Sequence, residues 1–301
     1  MSTAQYPADT VARVAARLAT LPVFFVGGLP RSGTTWIQQM LDAHPRLVCL
    51  GESHYANDLA PHLRQLLAQY AQRRADKRAT WAPTVVGPDD ALQAPVMRAA
   101  FVALVQANLG GHDPDALVTI GEKTPDNLMR LAQLWSVFPQ ARFIHVIRDG
   151  RDAAVSGFAR FRSRLNPAWT RADYVREFAK GWVERIEQAR ALAGGRDTYL
   201  ELHYEAMHTD PVGQAARLFR FLGAPDDPDT VAACLQAASF ERLSGGRRRG
   251  QIDADSHYRR GEVGGWRDTL SAEEVDAFER IAGTLLDTLG YARADRAEDG
   301  T

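Results

Sequence analysis

The stretch "VGGLPRSGTTW", residues 26–36, spaces Gly28 and Gly33 as a phosphate-binding loop does, with four residues between two glycines. The usual pattern continues with lysine and then Ser or Thr. Here Thr34 stands in the lysine position and Thr35 supplies the hydroxyl. Upstream, "LPVFFVGG" (21–28) is a short apolar run, rich in aromatic and β-branched residues and ended by glycines, which predicts a buried parallel strand closing near Val26. Downstream, Trp36, Ile37, Met40 and Leu41 recur at helical spacing. The order is therefore strand, glycine loop, helix. In that order the backbone N–H groups of Ser32, Gly33, Thr34 and Thr35 are expected to face an anion at the helix N-terminus, where the dipole favours negative charge. The nearest cation is Arg31, inside the loop. A fixed guanidinium beside two hydroxyls suits a terminal group of lower charge than a magnesium-bound triphosphate.

Further strands are predicted at "RLVCL" (46–50), "ALVTIGE" (116–122), "RFIHVIR" (142–148) and "TYLELHY" (198–204). Helical periodicity separates them at 57–79, 91–109, 125–137, 152–164 and 171–192. Alternation of this kind predicts an α/β fold, a P-loop-like, doubly wound and mostly parallel sheet flanked by helices. We expect one domain over residues 1–301, with its core at about 22–290. Asp210-Pro211 reads as an N-cap and N1 pair, and Ser271 with Glu274 as a capping box.

Composition narrows the function. The chain has 301 residues and a formal net charge of −1, which argues against a large nucleic-acid-binding surface and moves attention to local arginine clusters. Its two cysteines, Cys49 and Cys234, could pair but make neither a disulfide framework nor a metal spacing. No leader-like or membrane-spanning apolar run is present in the sequence, so the expectation is a cytoplasmic, soluble protein without a membrane partner. A homodimer is compatible with this reading.

A second anion site is predicted in "FIHVIRDGRDAAVSGF" (143–158). Arg148 closes a strand, Gly150 is expected to permit the turn, and Ser156 falls in the second turn of the next helix. Arg148 and Ser156 then converge on one anion while Asp149 or Asp152 caps the helix. The competing reading pairs Arg148 and Arg151 with Asp149 and Asp152 as solvated surface charge. A third basic cluster, Arg259-Arg260-Gly261, lies in a Gly- and Arg-rich stretch (244–265) that is too long for an ordinary connection and is expected to be a mobile lid. Two phosphate sites suggest a nucleotide phosphorylated at both ends.

These segments resemble those of sulfotransferases that use 3′-phosphoadenosine 5′-phosphosulfate (PAPS). "PRSGTTW" (30–36) resembles their 5′-phosphosulfate loop and "VIRDGRDAAVS" (146–156) their 3′-phosphate motif, while "RRGEVGGW" (259–266) is similar to a carboxyl-terminal segment of the cytosolic branch. The resemblance implies that Ser32, Gly33, Thr34 and Thr35 bind the 5′-phosphate. It assigns Arg148, Ser156, Arg259, Arg260 and Gly261 to the 3′-phosphate, and Trp36 and Tyr204 to the adenine. "LDAHPRLVCLGES" (41–53) is similar to the tyrosylprotein and carbohydrate-type branch, in which a glutamate after the second strand is the catalytic base; here that is Glu52. "GEKTPDNL" (121–128) likewise implies Lys123, with Arg31, as the cation over the leaving phosphate.

The chemistry asks for such groups. By analogy with phosphoryl transfer, an in-line, loose transition state gathers charge on the departing oxygens, and a carboxylate can take the acceptor proton as the new bond forms. No metal is required, because arginine, lysine and backbone donors carry the electrostatics. His54 is the rival base, whereas His44, before Pro45, and His145, inside a strand, read as structural. The implied acceptor is a hydroxyl of a peptide tyrosine, a sugar or a small phenol. A P-loop kinase or nucleotide hydrolase is the alternative; it is opposed by the missing lysine after Gly33 and by Arg148 where a magnesium-binding aspartate would close a strand.

Overall fold

The computed structural model describes residues 8–80, 92–246 and 261–294. Five strands form one sheet: β1 Val23–Gly28, β2 Leu47–Leu50, β3 Thr119–Lys123, β4 Arg142–Ile147 and β5 Tyr199–His203. All neighbours are parallel, in the order β2-β3-β1-β4-β5. β1 runs two residues past the expected end at Val26, because Gly27 and Gly28 remain in register with His145 and Val146.

The helices in chain order are α1 Ala8–Ala19, α2 Thr34–Asp42, α3 Ala60–Thr80, α4 Gln93–Ala107, α5 Leu131–Val137 and α6 Gly150–Phe161. They continue with α7 Arg171–Ala193, α8 Ala206–Thr209, α9 Pro211–Leu222, α10 Pro228–Ala237, α11 Phe240–Leu243 and α12 Ala272–Thr288. A π-helical turn, Tyr55–Leu59, leads into α3, and Pro125–Arg130 is a 3-10 turn rather than the start of the helix predicted from 125. Pro125 has no N–H to donate and restricts Thr124 to an extended backbone, so the chain enters this segment as a tight turn.

Both sheet faces are covered, which explains why the strands read as continuous apolar runs. Phe25, Ile120 and Phe143 point to one face and pack with Leu18, Phe101, Trp182 and Phe278. Phe24, Val26, Ile144 and Leu202 point to the other and pack with Ile37, Met40, Phe219 and Val231. Cys49 and Cys234 are buried in this second core, and both are free thiols. Asp210 and Ser271 cap their helices as predicted, the latter in a complete capping box with Glu274.

Gly150 is required for a reason other than a turn. It is the first residue of α6, and a Cβ there would lie 2.4 Å from Phe278 Cζ and 2.8 Å from Trp182 Cδ2. Close packing of α6 on α7 and α12 demands the glycine. No helix among the described residues is long and apolar enough to cross a membrane.

The parallel sheet decides where chemistry can occur. All five strands point their carboxyl ends to one edge, and the chain switches direction across β1, whose neighbours are β3 and β4. Ligands of doubly wound sheets bind in the crevice at that point. His44 and His145 lie away from it. His44 bridges the Pro225 carbonyl and the Arg46 amide, and His145 Nδ1 sits 2.6 Å from the Tyr199 hydroxyl.

Burial lowers the pKa of His145 to about 3. Between that value and the unfolded-state value near 6.5, the unfolded chain binds the extra proton and the folded chain does not. The contribution of His145 to stability is thus fully present above pH 6.5 and falls as pH drops below it. We expect His145→Gln to flatten this acid limb, so that the stability gap between wild type and variant changes by up to about 1.4 kcal/mol per pH unit below pH 6.5. Urea unfolding of both proteins from pH 7.5 to 5 measures it; parallel curves would refute the assignment.

Candidate active site

Every strand delivers a residue of interest to the carboxyl-end crevice. β1 leads into Arg31, Ser32 and Gly33, β2 into Glu52, β3 ends on Lys123, β4 leads into Arg148 and β5 into Tyr204. With α2, α6 and α11 they enclose a cleft of about 490 Å³. Among non-glycine residues described, only Arg31 (φ 75°) and His54 (φ 51°) have left-handed backbones, and both line this cleft. Strain of that kind concentrates where a surrounding structure has reason to enforce it.

The glycine loop owes its shape to two close approaches. A Cβ on Gly28 would lie 2.4 Å from the Val146 carbonyl oxygen, so the loop can start only from a glycine. Gly33 occupies the N-cap of α2 at φ 91°, and a Cβ there would lie 2.5 Å from Tyr204 Cδ2. No side chain caps α2, whereas Asp149, Thr170, Asp210, Asp227, Ser239 and Ser271 each cap the helix that follows them. A helix N-terminus without a side-chain cap is of the kind that suits an anion. One of the four predicted donors is committed elsewhere, since Ser32 N donates to the Leu29 carbonyl at 3.1 Å. Thr34 and Thr35 line the cleft, Ser32 is buried beneath the loop, and the Thr35 hydroxyl accepts from Lys123.

Lys123 and Glu52 meet across β2 and β3. The Lys123 ammonium, 2% exposed, donates to Glu52 Oε1 at 2.7 Å and to Thr35 Oγ1 at 3.0 Å. One cation thus joins the predicted base to the phosphate loop. His54, the rival, is half-exposed, with Nε2 3.9 Å from Glu52 Oε2. It extends the carboxylate outward rather than replacing it.

The residues predicted for a second anion site also come together. Arg31 Nε donates to Ser156 Oγ at 3.0 Å, and Arg148 Nη1 donates to the Arg31 carbonyl at 3.2 Å. Arg148 is mostly buried, stacks 4.5 Å from the Tyr204 ring centroid, and its Nε has no hydrogen-bond partner among the described residues. A buried guanidinium donor left over at a cleft wall fits an anionic ligand. Arg31 therefore bridges the two anion sites, with its side chain turned to Ser156.

The charge pairs of the competing reading are present, Arg151 with Asp149 and Arg148 with Asp152 at 3.8 Å, but they are buried rather than solvated, and Arg151 is structural. It chelates Asp149 at 2.7 Å, meets Glu279 at 2.6 Å and lies 3.8 Å over the Trp266 ring. Asp149 is the cap of α6, accepting from Arg151 N. Asp152 also accepts from the amides of Gly264 and Trp266, at 2.7 and 2.9 Å, and so pins the end of the stretch predicted to be a mobile lid, and the residue just after it, to α6. Burial pushes the Asp152 carboxyl up, against the opposing pull of Arg148 and those two amides. Gly261 lines the cleft at φ 65° against Phe240, whereas Arg259 and Arg260, with the stretch 247–260, lie outside the described residues.

Trp36 and Tyr204 form one aromatic wall. Their rings meet edge-on at 5.6 Å, His208 packs on both, and Trp36 Nε1 donates to the Ala238 carbonyl. Sequence reasoning missed His208, and also Arg160, Phe161 and Arg164, which line the cleft from the end of α6 and the turn after it. The i, i+4 spacing of Arg160 and Arg164 beyond Ser156 was the available signal. Among the described residues no group of three or more His, Cys, Asp or Glu side chains could hold a metal.

Comparison with known proteins agrees with this geometry. The sequence pattern of the sulfotransferase family matches residues 22–228. A protein-tyrosine sulfotransferase of Caenorhabditis elegans is 27% identical over 212 residues, 69% of this chain and 51% of the relative. One of Danio rerio is 28% identical over 206 residues, 68% of this chain and 54% of the relative. The chain thus spans about half the length of these relatives. A mouse sulfotransferase crystallised with PAP shares the fold, with a TM-score of 0.56 at 16% identity, over 91% of this chain and 88% of that one.

The Gly33 contacts carry a stability prediction. Gly33→Ala should cost about 2–4 kcal/mol, the sum of a left-handed backbone penalty and an overpacked Tyr204 ring. Tyr204→Ala should relieve only the second part. Denaturant midpoints of the two single variants and the double variant test this coupling, and strict additivity would disprove the clash.

Proposed function

This chain belongs to the sulfotransferase family, and we propose that it transfers the sulfuryl group of PAPS to an acceptor hydroxyl, with Glu52 as general base. The observation that carries the reading is the Lys123 ammonium held between Glu52 and Thr35. Base, cation and phosphate loop form one continuous hydrogen-bonded chain, which is what an in-line transfer needs.

The residues fit the nucleotide at both ends. Gly33, Thr34 and Thr35 would receive the 5′-phosphosulfate at the uncapped start of α2, and Arg148 and Ser156, with Gly261, Arg259 and Arg260, the 3′-phosphate. The orphan Nε of Arg148 supports this assignment, and the Trp36 and Tyr204 wall offers a platform for the base. When bound, PAPS supplies an activated sulfuryl group on a phosphate leaving group.

This chain's own groups would then divide the work. Glu52 takes the acceptor proton as the oxygen–sulfur bond forms. Lys123 has three donor protons, two of them directed at Glu52 and Thr35, and the third can meet the oxygen left on the 5′-phosphate when its bond to sulfur breaks. Arg31, already tied to Ser156, holds the two phosphate sites at a fixed separation and adds charge to the leaving side. The acceptor would enter past His54, which lines the cleft beside Glu52. A peptide tyrosine is the acceptor suggested by the tyrosine sulfotransferase relatives, with sugar and small phenol hydroxyls as the other classes.

Two measurements test the proposal. 3′-Phosphoadenosine 5′-phosphate should raise the melting temperature and Mg-ATP should not, by the linkage between binding and stability; the reverse would point to a kinase. Mass spectrometry of an acceptor panel should show a gain of one sulfuryl group. Glu52→Gln and Lys123→Ala should each lower that rate about 10²- to 10⁴-fold, and unaltered rates in both would move the chemistry elsewhere.

A further inference from the structure

β3 ends on two ionisable residues in succession, Glu122 and Lys123. Strand alternation sends them to opposite sides of the sheet. Lys123 reaches the cleft, while Glu122 is fully buried on the other side, and the proposed chemistry does not use it. Its carboxylate is nevertheless fully engaged. Oε1 accepts from Asn127 Nδ2 at 2.7 Å, and Oε2 accepts from Thr124 Oγ1 at 2.9 Å and Ser53 Oγ at 3.2 Å.

Those three donors come from two loops, and the loops are those that carry the reacting pair. Ser53 directly follows Glu52, and Thr124 directly follows Lys123. The second tier of bonds tightens the same join: Ser53 Oγ accepts from Tyr55 N at 3.3 Å, and Thr124 Oγ1 accepts from His54 N at 3.4 Å. His54 is held at φ 51° by this arrangement. We propose that Glu122 is the positioning residue of the active site, a buried carboxylate that clamps the Glu52 loop to the Lys123 loop.

A purely structural role is the weaker account. A buried carboxylate costs desolvation that its hydrogen bonds only offset, and a well-packed apolar residue commonly serves stability as well or better. Among the described residues Asn127 Oδ1, in the same pocket, is buried without a hydrogen-bond partner, so the cluster is not tuned for stability alone. What the clamp does secure is register. Glu52 and Lys123 lie on different strands, and small displacements of reacting groups are costly in rate.

The test rests on Glu52 being the base, so Glu52→Gln is assayed first in the full chain. Loss of activity there upholds that reading, and unchanged activity overturns it together with this proposal. Glu122→Gln should then lower kcat about 10- to 100-fold, with the KM for PAPS and the affinity for 3′-phosphoadenosine 5′-phosphate changed less than about twofold. In the Glu52→Gln background the same substitution should cost less than about twofold, because both act through one group. An equal loss in both backgrounds, or a fall in nucleotide affinity matching the fall in rate, would show a structural role and refute the proposal while leaving Glu52 as the base. If Glu122→Gln does not fold, Ser53→Ala removes one arm of the clamp and is held to the same comparison in both backgrounds.

Discussion

The ammonium of Lys123 is the constraint around which this fold closes. An almost fully buried cation must be met by acceptors, and the two that meet it belong to different parts of the chain: Glu52 after β2 and Thr35 in the first turn of α2. Satisfying one side chain therefore fixes the spacing of three elements at once. The all-parallel sheet makes this feasible, since β2, β3 and β1 are neighbours whose carboxyl ends lie at the same level. Were β1 or β2 reversed, its loop would emerge at the far edge and the cation would lose one of its two partners.

A second buried network does comparable work on the other half of the sheet. Arg151, Asp149 and Glu279 join the start of α6 to α12, with the guanidinium stacked on Trp266. Pairs of this kind add little net stability over apolar packing, but breaking one member leaves a buried charge and costs about 3–5 kcal/mol. Asp152, one residue further, is tied to the backbone of residues 264–266. Arg148 touches the same segment, donating to the Glu262 carbonyl at 2.8 Å. The start of α6 is thus a rigid base from which both the cleft wall and the segment after residue 260 are hung.

Much of this was legible in the sequence, and what was not has a common cause. The strands, the glycine loop and the residues at the strand ends follow from local pattern: apolar runs, glycine spacing, a cap before a helix. Glu52 and Lys123 could be singled out because their segments, at or just past strand ends, resemble those of known sulfotransferases. Contacts between residues far apart in sequence were invisible. Gly150 looked like a turn residue, and only the placement of Phe278 and Trp182 shows that it is a packing residue. Arg151 and Asp152 looked like surface charge because their partners, Glu279 and the amides of 264 and 266, lie more than 100 residues away. Glu122 left a trace, a carboxylate one residue before the end of a strand buried along its whole length, on the same face as Ile120 by alternation.

The two proposed anion sites are built on opposite rules, and that contrast explains their sequences. At α2 the N-cap is a glycine without a side-chain cap, so an anion there would be met by the helix end and its dipole and would need little from side chains. At α6 the N-cap is Asp149, whose carboxylate already accepts from the first-turn backbone and carries the charge an anion would bring. A phosphate placed at that helix end would meet a carboxylate, so the second site is displaced from it. It has to be made by side chains that reach past the cap: Arg148 from the strand before, Ser156 from the second turn after, and Arg31 across the crevice. One motif is accordingly written in glycine and threonine, the other in arginine and serine. The capping residue decides which.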